Sequence, residues 1–177
     1  MNKKILYCGG NFEFRYEDYV ASSLLSDYRT HILGDIVNIM YEPKNADKTR
    51  DLSEHLAYCG PYYFYENGLT GDNVVKNEYD MVERCTHAVF IVDNTNIPGT
   101  ITEIIHAALR GKTIQIYYIR QARGDGEPEK EIENANWYAL EMAKQIAGAK
   151  LIGCKNREQA KELVYEYVEY LKNNENA

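Results

Sequence analysis

The chain has 177 residues, 45% of them hydrophobic and 27% charged, and a formal net charge of −7 at pH 7. That length suits a single domain, residues 1–177, with a substantial core. The acidic balance disfavours a nucleic-acid polymer as partner, while leaving room for a local basic pocket that holds one nucleotide. The apolar run after Met1–Lys4 is too short for a signal segment or a membrane span, so a cytoplasmic setting is expected.

In chain order, Lys3–Cys8 predicts a short buried strand that ends in Gly9-Gly10. Tyr16–Leu33 has helical spacing, with Gly34 as its stop. Asp35–Tyr41 alternates as a strand does. Residues 43–73 are the least regular, with a short helix expected around Leu52–Leu56 and an aromatic cluster at Pro61–Tyr65. Val74–Cys85 predicts a helix with Val74, Val75, Tyr79, Met81 and Val82 facing inward. Ala88–Val92 is a continuous apolar run, the mark of a strand buried on both faces.

Pro98–Arg110 predicts a helix opened by proline and closed by Gly111. Thr113–Ile119 predicts a strand and 120–131 an exposed loop. Asn134–Ala147 predicts a helix, Lys150–Cys154 a strand, and Arg157–Leu171 an amphipathic terminal helix. This alternation of strands and helices predicts an α/β fold: a parallel sheet of about five strands covered by helices on both faces. Ligands of such sheets bind beyond the strand C-termini. The loops after Gly10 and after Val92 are therefore the places to search.

Cys8, Cys59, Cys85 and Cys154 form no CxxC pair and match no zinc spacing, so buried thiols are expected. The four histidines carry no metal-binding pattern. There is no GxGxxG and no P-loop.

The most informative stretch is Asp93-Asn94-Thr95-Asn96-Ile97-Pro98-Gly99-Thr100-Ile101-Thr102-Glu103. It leads from a buried strand into a helix. Gly99 permits close approach of a ligand, and the N–H groups of a helix start suit an anion or a sugar hydroxyl. A carboxylate at Glu103, about one turn in, is placed to attack or stabilise an anomeric carbon. The same residues also spell a capping box, Thr100-x-x-Glu103, in which the glutamate only ties back to its own helix. Tyr7 ends the first strand, either as a hydroxyl in the cleft or as a core residue. Arg15 suits a phosphate or carboxylate, or a surface ion pair with Glu17 or Asp18. Asp80, mid-helix, reads by itself as a solvated side chain.

Three segments together resemble the nucleoside 2-deoxyribosyltransferase superfamily, which includes the 2′-deoxynucleoside 5′-phosphate N-hydrolases. They are Lys4–Gly10, Asp80–Val82 with Ala88–Asp93, and Gly99–Ile104 with Ala107-Ala108 and Gly111-Lys112. The resemblance spans about the first two-thirds of the chain. It implies a flavodoxin-like or Rossmann-like three-layer sandwich and cleavage or transfer of an N-glycosidic bond in a nucleoside or nucleotide. It implies Glu103 as the nucleophile that forms a glycosyl-enzyme, Tyr7 as the group orienting it, and Asp80 as a contact to the base. Gly9, Gly10, Arg15, Asp93, Asn96, Gly99 and Thr100 would line the substrate. No metal and no cofactor is implied, and homo-oligomers are common in the family. The tyrosines of the terminal helix, Tyr165, Tyr167 and Tyr170, suit either a subunit interface or packing on the sheet.

The chain departs from the family at Asn96-Ile97-Pro98. Many transferases place a second aspartate there, and the phosphate-hydrolysing members a serine. Two other readings of the same fold are a TIR-like NAD glycohydrolase and a non-catalytic nucleotide-binding module.

Overall fold

The computed structural model describes residues 3–10, 49–60, 71–121 and 132–175. Within them the chain forms β1 (Lys4–Gly10), β2 (Arg50–Asp51), β3 (Leu56–Gly60), α1 (Gly71–Arg84), β4 (His87–Val92), α2 (Pro98–Leu109), β5 (Thr113–Ile119), α3 (Trp137–Ala147), β6 (Lys150–Cys154) and α4 (Arg157–Asn173). The sheet order is β2-β3-β1-β4-β5-β6. Five strands run parallel, and only the two-residue edge strand β2 pairs antiparallel, with β3. The expected α/β architecture is present.

The central strands are apolar throughout because both faces are covered. Every residue of β4 is buried, as befits a parallel strand between helical layers. Gly9 pairs with Phe90, and Phe90 with Ile116. These positions share a face with α2, whose Glu103 reaches Gly9. Tyr117 pairs with Ile91, one residue on, and so faces the other way. Its hydroxyl donates to the Leu163 carbonyl of α4. The two helices therefore cover opposite faces. Val164, Val168 and Leu171 bring the buried stripe of α4 to the core.

Three expectations need correction. Leu52–Leu56 is not a helix: residues 52–55 form a bend and Leu56 starts β3, a fully buried strand. Its run of Leu, Ala, Tyr, Cys and Gly lacks both alternation and β-branched residues, so periodicity gave no signal. Gly60 closes it with a positive φ of 151°, and a methyl group there would stand 2.3 Å from the Met81 sulfur. Val75 and Tyr79 do not face the core, being 66% and 46% exposed, whereas Met81 and Val82 do. Asn134 precedes its helix, which begins at Trp137. The expected elements at Tyr16–Leu33 and Asp35–Tyr41 and the Pro61–Tyr65 cluster lie outside the described residues.

All four cysteines are buried thiols, as expected, and desolvation pushes Cys85 up to about 12. No described helix is long and apolar enough to cross a membrane.

Helices α1 and α2 are joined by polar contacts around one carboxylate. Glu83 takes a hydrogen bond at 2.9 Å from His106 and one at 2.6 Å from Arg110, whose second nitrogen reaches the Tyr79 hydroxyl at 2.9 Å. The Tyr79 and His106 rings stack with centroids 4.2 Å apart. The His106 hydrogen bond foremost, then those of Tyr79 and Arg110, hold the Glu83 carboxyl at about 2, below its ordinary 4.5. In the range between those values the unfolded chain binds the extra proton. The contribution is thus complete above pH 4.5 and is lost as pH falls toward 2. Melting temperature should accordingly drop more steeply over that window in the wild type than in Glu83→Gln. Parallel pH profiles for the two proteins would show that this carboxylate does not couple the helices.

Candidate active site at the ends of β1 and β4

Glu103 sits in the second turn of α2, a helix whose first residue is Pro98 and whose N-cap is Ile97. The start lies three residues before the one a Thr100-x-x-Glu103 box requires, so Glu103 is six positions beyond the cap. No side chain caps this helix start. The capping-box reading therefore does not hold. Thr102, one of the intervening residues, donates to the Pro98 carbonyl at 2.8 Å, a back-bond inside the helix.

Instead, Glu103 turns toward the sheet. It is buried, at 8% exposure. A methyl group placed on Gly9 would lie 2.7 Å from Glu103 Oε2 and 2.4 Å from Cε1 of Phe90. Glycine at this position leaves the space in which the carboxylate meets the end of β1. Tyr7, two residues earlier on the same face, is completely buried with its ring 6.0 Å from that of Phe90. The geometry brings Tyr7, Gly9, Phe90 and Glu103 into one cluster at the C-terminal ends of β1 and β4. Gly10 ends β1 beside Ile91.

The other candidate residues are placed differently. Asp80 is exposed on α1. Asp93 is buried and occupied: it accepts from Thr95 N at 2.9 Å and Thr95 Oγ1 at 2.5 Å, and pairs with Arg157 at 3.3 Å. These contacts make it a brace for the loop after β4. Thr100 is buried, while Asn96 and Gly99 are exposed. A Cβ on Gly99 would meet nothing within 4 Å, so its backbone is open to approach. Arg15 lies outside the described residues. Among the described residues, no group of three or more His, Cys, Asp or Glu side chains is arranged to hold a metal.

Sequence reasoning missed Phe90, which looks like any core aromatic, and a set of asparagines. Asn136 donates to the carbonyls of Asp93 at 3.0 Å and Thr95 at 3.2 Å. Asn134 donates to Ile119 O at 2.9 Å and to Asp93 O at 3.3 Å. Asn94 donates to Ile119 O at 3.1 Å and accepts from Ala135 N at 3.0 Å. Asn136 is the N-cap of α3 yet its side chain makes no capping bond; its Nδ2 turns to the neighbouring loop. Together they latch the loop leading to Glu103 onto β5 and α3. The signal was the clustering of short amide side chains at two strand exits, where they satisfy loop carbonyls.

No family model and no curated protein matches the sequence. The structure is similar to that of Clostridium botulinum CMP N-glycosidase, BcmB, with a TM-score of 0.47 and 13% sequence identity over 93% of this chain and 99% of that one.

Gly9→Ala tests the cluster directly. The ring it would strike is fully buried, and the contact would fall well inside van der Waals distance. Overpacking of this kind costs about 1–3 kcal/mol, and a denaturant titration should show the loss as a lower midpoint with unchanged slope. A midpoint equal to that of the wild type would mean that position 9 has room the geometry denies.

Proposed function

We propose that the protein cleaves the N-glycosidic bond of a nucleoside or nucleotide, with Glu103 as the attacking group. The observation that carries this reading is the place of the Glu103 carboxylate: released from capping its own helix and brought over Gly9 at the strand ends. The resemblance of the three sequence segments to the deoxyribosyltransferase superfamily supplies the chemistry.

In this mechanism a Glu103 oxygen attacks C1′ as the bond from C1′ to the base nitrogen breaks. The electron pair leaves with the base, which takes up a proton. Water then attacks C1′, releases the sugar, and returns Glu103 as a carboxylate. In a transferase a second base takes the place of water. The transition state carries oxocarbenium character, which a nearby carboxylate stabilises. Tyr7, buried under the same cluster, belongs to the orienting framework. Asp80 is proposed as a base contact reached from α1. Gly9, Gly10, Asn96, Gly99 and Thr100 would line the sugar side, with Asp93 holding the loop and Arg15 reserved for an anionic group.

The experiment is chromatographic detection of free base from deoxynucleosides and their monophosphates, with and without an acceptor base. Glu103→Gln, nearly isosteric, should lose activity by at least about 10³-fold, since it removes the nucleophile. Intact-protein mass spectrometry of the wild type with a slow substrate should reveal a sugar adduct on Glu103. Base release at the wild-type rate from Glu103→Gln would remove this residue from the reaction. Nicotinamide release from NAD alone would move the site to the NAD-hydrolysing reading.

A further inference from the structure

Asn134 stands outside the cluster around Glu103, yet its polar side chain is buried, at 4% exposure. An amide is costly to bury unless its polar atoms find partners. Here both ends are used. Nδ2 donates to the carbonyls of Ile119 and Asp93, at 2.9 and 3.3 Å, and Oδ1 accepts from the Asn136 backbone N–H at 2.8 Å. Asn94 reaches the first of these carbonyls at 3.1 Å and Asn136 the second at 3.0 Å. Of the three asparagines, Asn134 is the one that bonds both.

Its bonds join three places at one point: the exit of β4 at Asp93, the last residue of β5 and the approach to α3. What this joint fixes is the origin of α2. Residues 93–97 are the whole connection from β4 to that helix. A connection so short passes a displacement of its first residue on to the helix that follows. Its far end is anchored by buried Ile97, and its near end by the asparagine amides. Glu103, in the second turn, has little slack. Its Oε2 lies 2.7 Å from where a methyl group on Gly9 would stand, so any movement of α2 changes what the carboxylate faces.

We propose that Asn134 is a positioning residue for Glu103, acting through the 93–97 loop and not by contact with a substrate. The assignment rests on the reading of Glu103 as the attacking group. Reacting groups must be held to within about 0.5 Å of their productive geometry, and a misplacement of about 1 Å by a remote substitution costs about 10²-fold in rate. A buried amide that clamps two strand exits is a means of holding a helix start to that tolerance.

The test uses the full chain with Asn134→Ala, which removes both donated bonds, and Asn134→Asp, which keeps the shape but sets acceptors against the two carbonyls. Gly148→Ala is the control. Gly148 closes the other end of α3 with φ 63°, where a side chain is strained, so the substitution weakens the same helix away from the loop. Base release is measured below the melting temperature of every variant. Both Asn134 substitutions should lower kcat at least about tenfold and change KM less than about twofold, while Gly148→Ala keeps the wild-type rate. The carbon-13 resonance of the Glu103 carboxyl group, assigned by its loss in Glu103→Gln, should move in both Asn134 variants and stay in place in Gly148→Ala. That second readout needs no turnover. A wild type that releases no base sinks the proposed reaction, and the resonance then decides the role of Asn134. An unmoved resonance in both Asn134 variants, wild-type kcat in either, or an equal loss in Gly148→Ala overturns the assignment.

Discussion

The candidate site depends on a close approach that only glycine permits. At position 9 the backbone of β1 lies so near the Phe90 ring and the Glu103 carboxylate that no side chain fits between them. Parallel sheets usually fill this layer with aliphatic side chains. Here one such side chain is missing at the C-terminal end of a central strand, and the neighbouring helix supplies a carboxylate in its place. A carboxylate is expensive to bury, and among the described residues only Glu103, at 8% exposure, and Asp93, at 5%, are acids held this deep. The Tyr7 and Phe90 rings fix one wall of the same layer, and dense packing makes that wall stiff.

The loop that delivers Glu103 is held just as firmly. Asp93 closes a turn on Thr95, and three asparagines tie the loop carbonyls to β5 and α3. Loop carbonyls near a sheet end must find donors, and amide side chains provide them without adding charge near a buried carboxylate. Helix α2 then starts at Pro98, whose missing N–H is no loss at a first helical position. The start point follows from proline and not from Thr100, and that shift of three residues is what frees Glu103 from a capping role. A small matter of helix phase decides between a structural and a chemical reading of one side chain.

The elements with strong local signals were legible in the sequence. The apolar run at 88–92, the Pro98-to-Gly111 helix and the alternation through the C-terminal half all reflect period and punctuation that a linear reading captures. What escaped it was set by tertiary contact. Leu56–Gly60 is a strand because β1 and α1 bury it, though its five residues show neither alternation nor β-branching. Val75 and Tyr79 repeat at helical spacing, yet they lie outside the core, where the Tyr79 ring covers His106. Phe90 is indistinguishable from a core residue until its neighbour across the ladder proves to be glycine.

Glu103 is buried beside the Phe90 ring and the backbone of Gly9, where little water screens a carboxylate and its field on a developing cationic centre is strong. A carboxylate in that setting suits a reaction whose transition state gains positive charge at carbon.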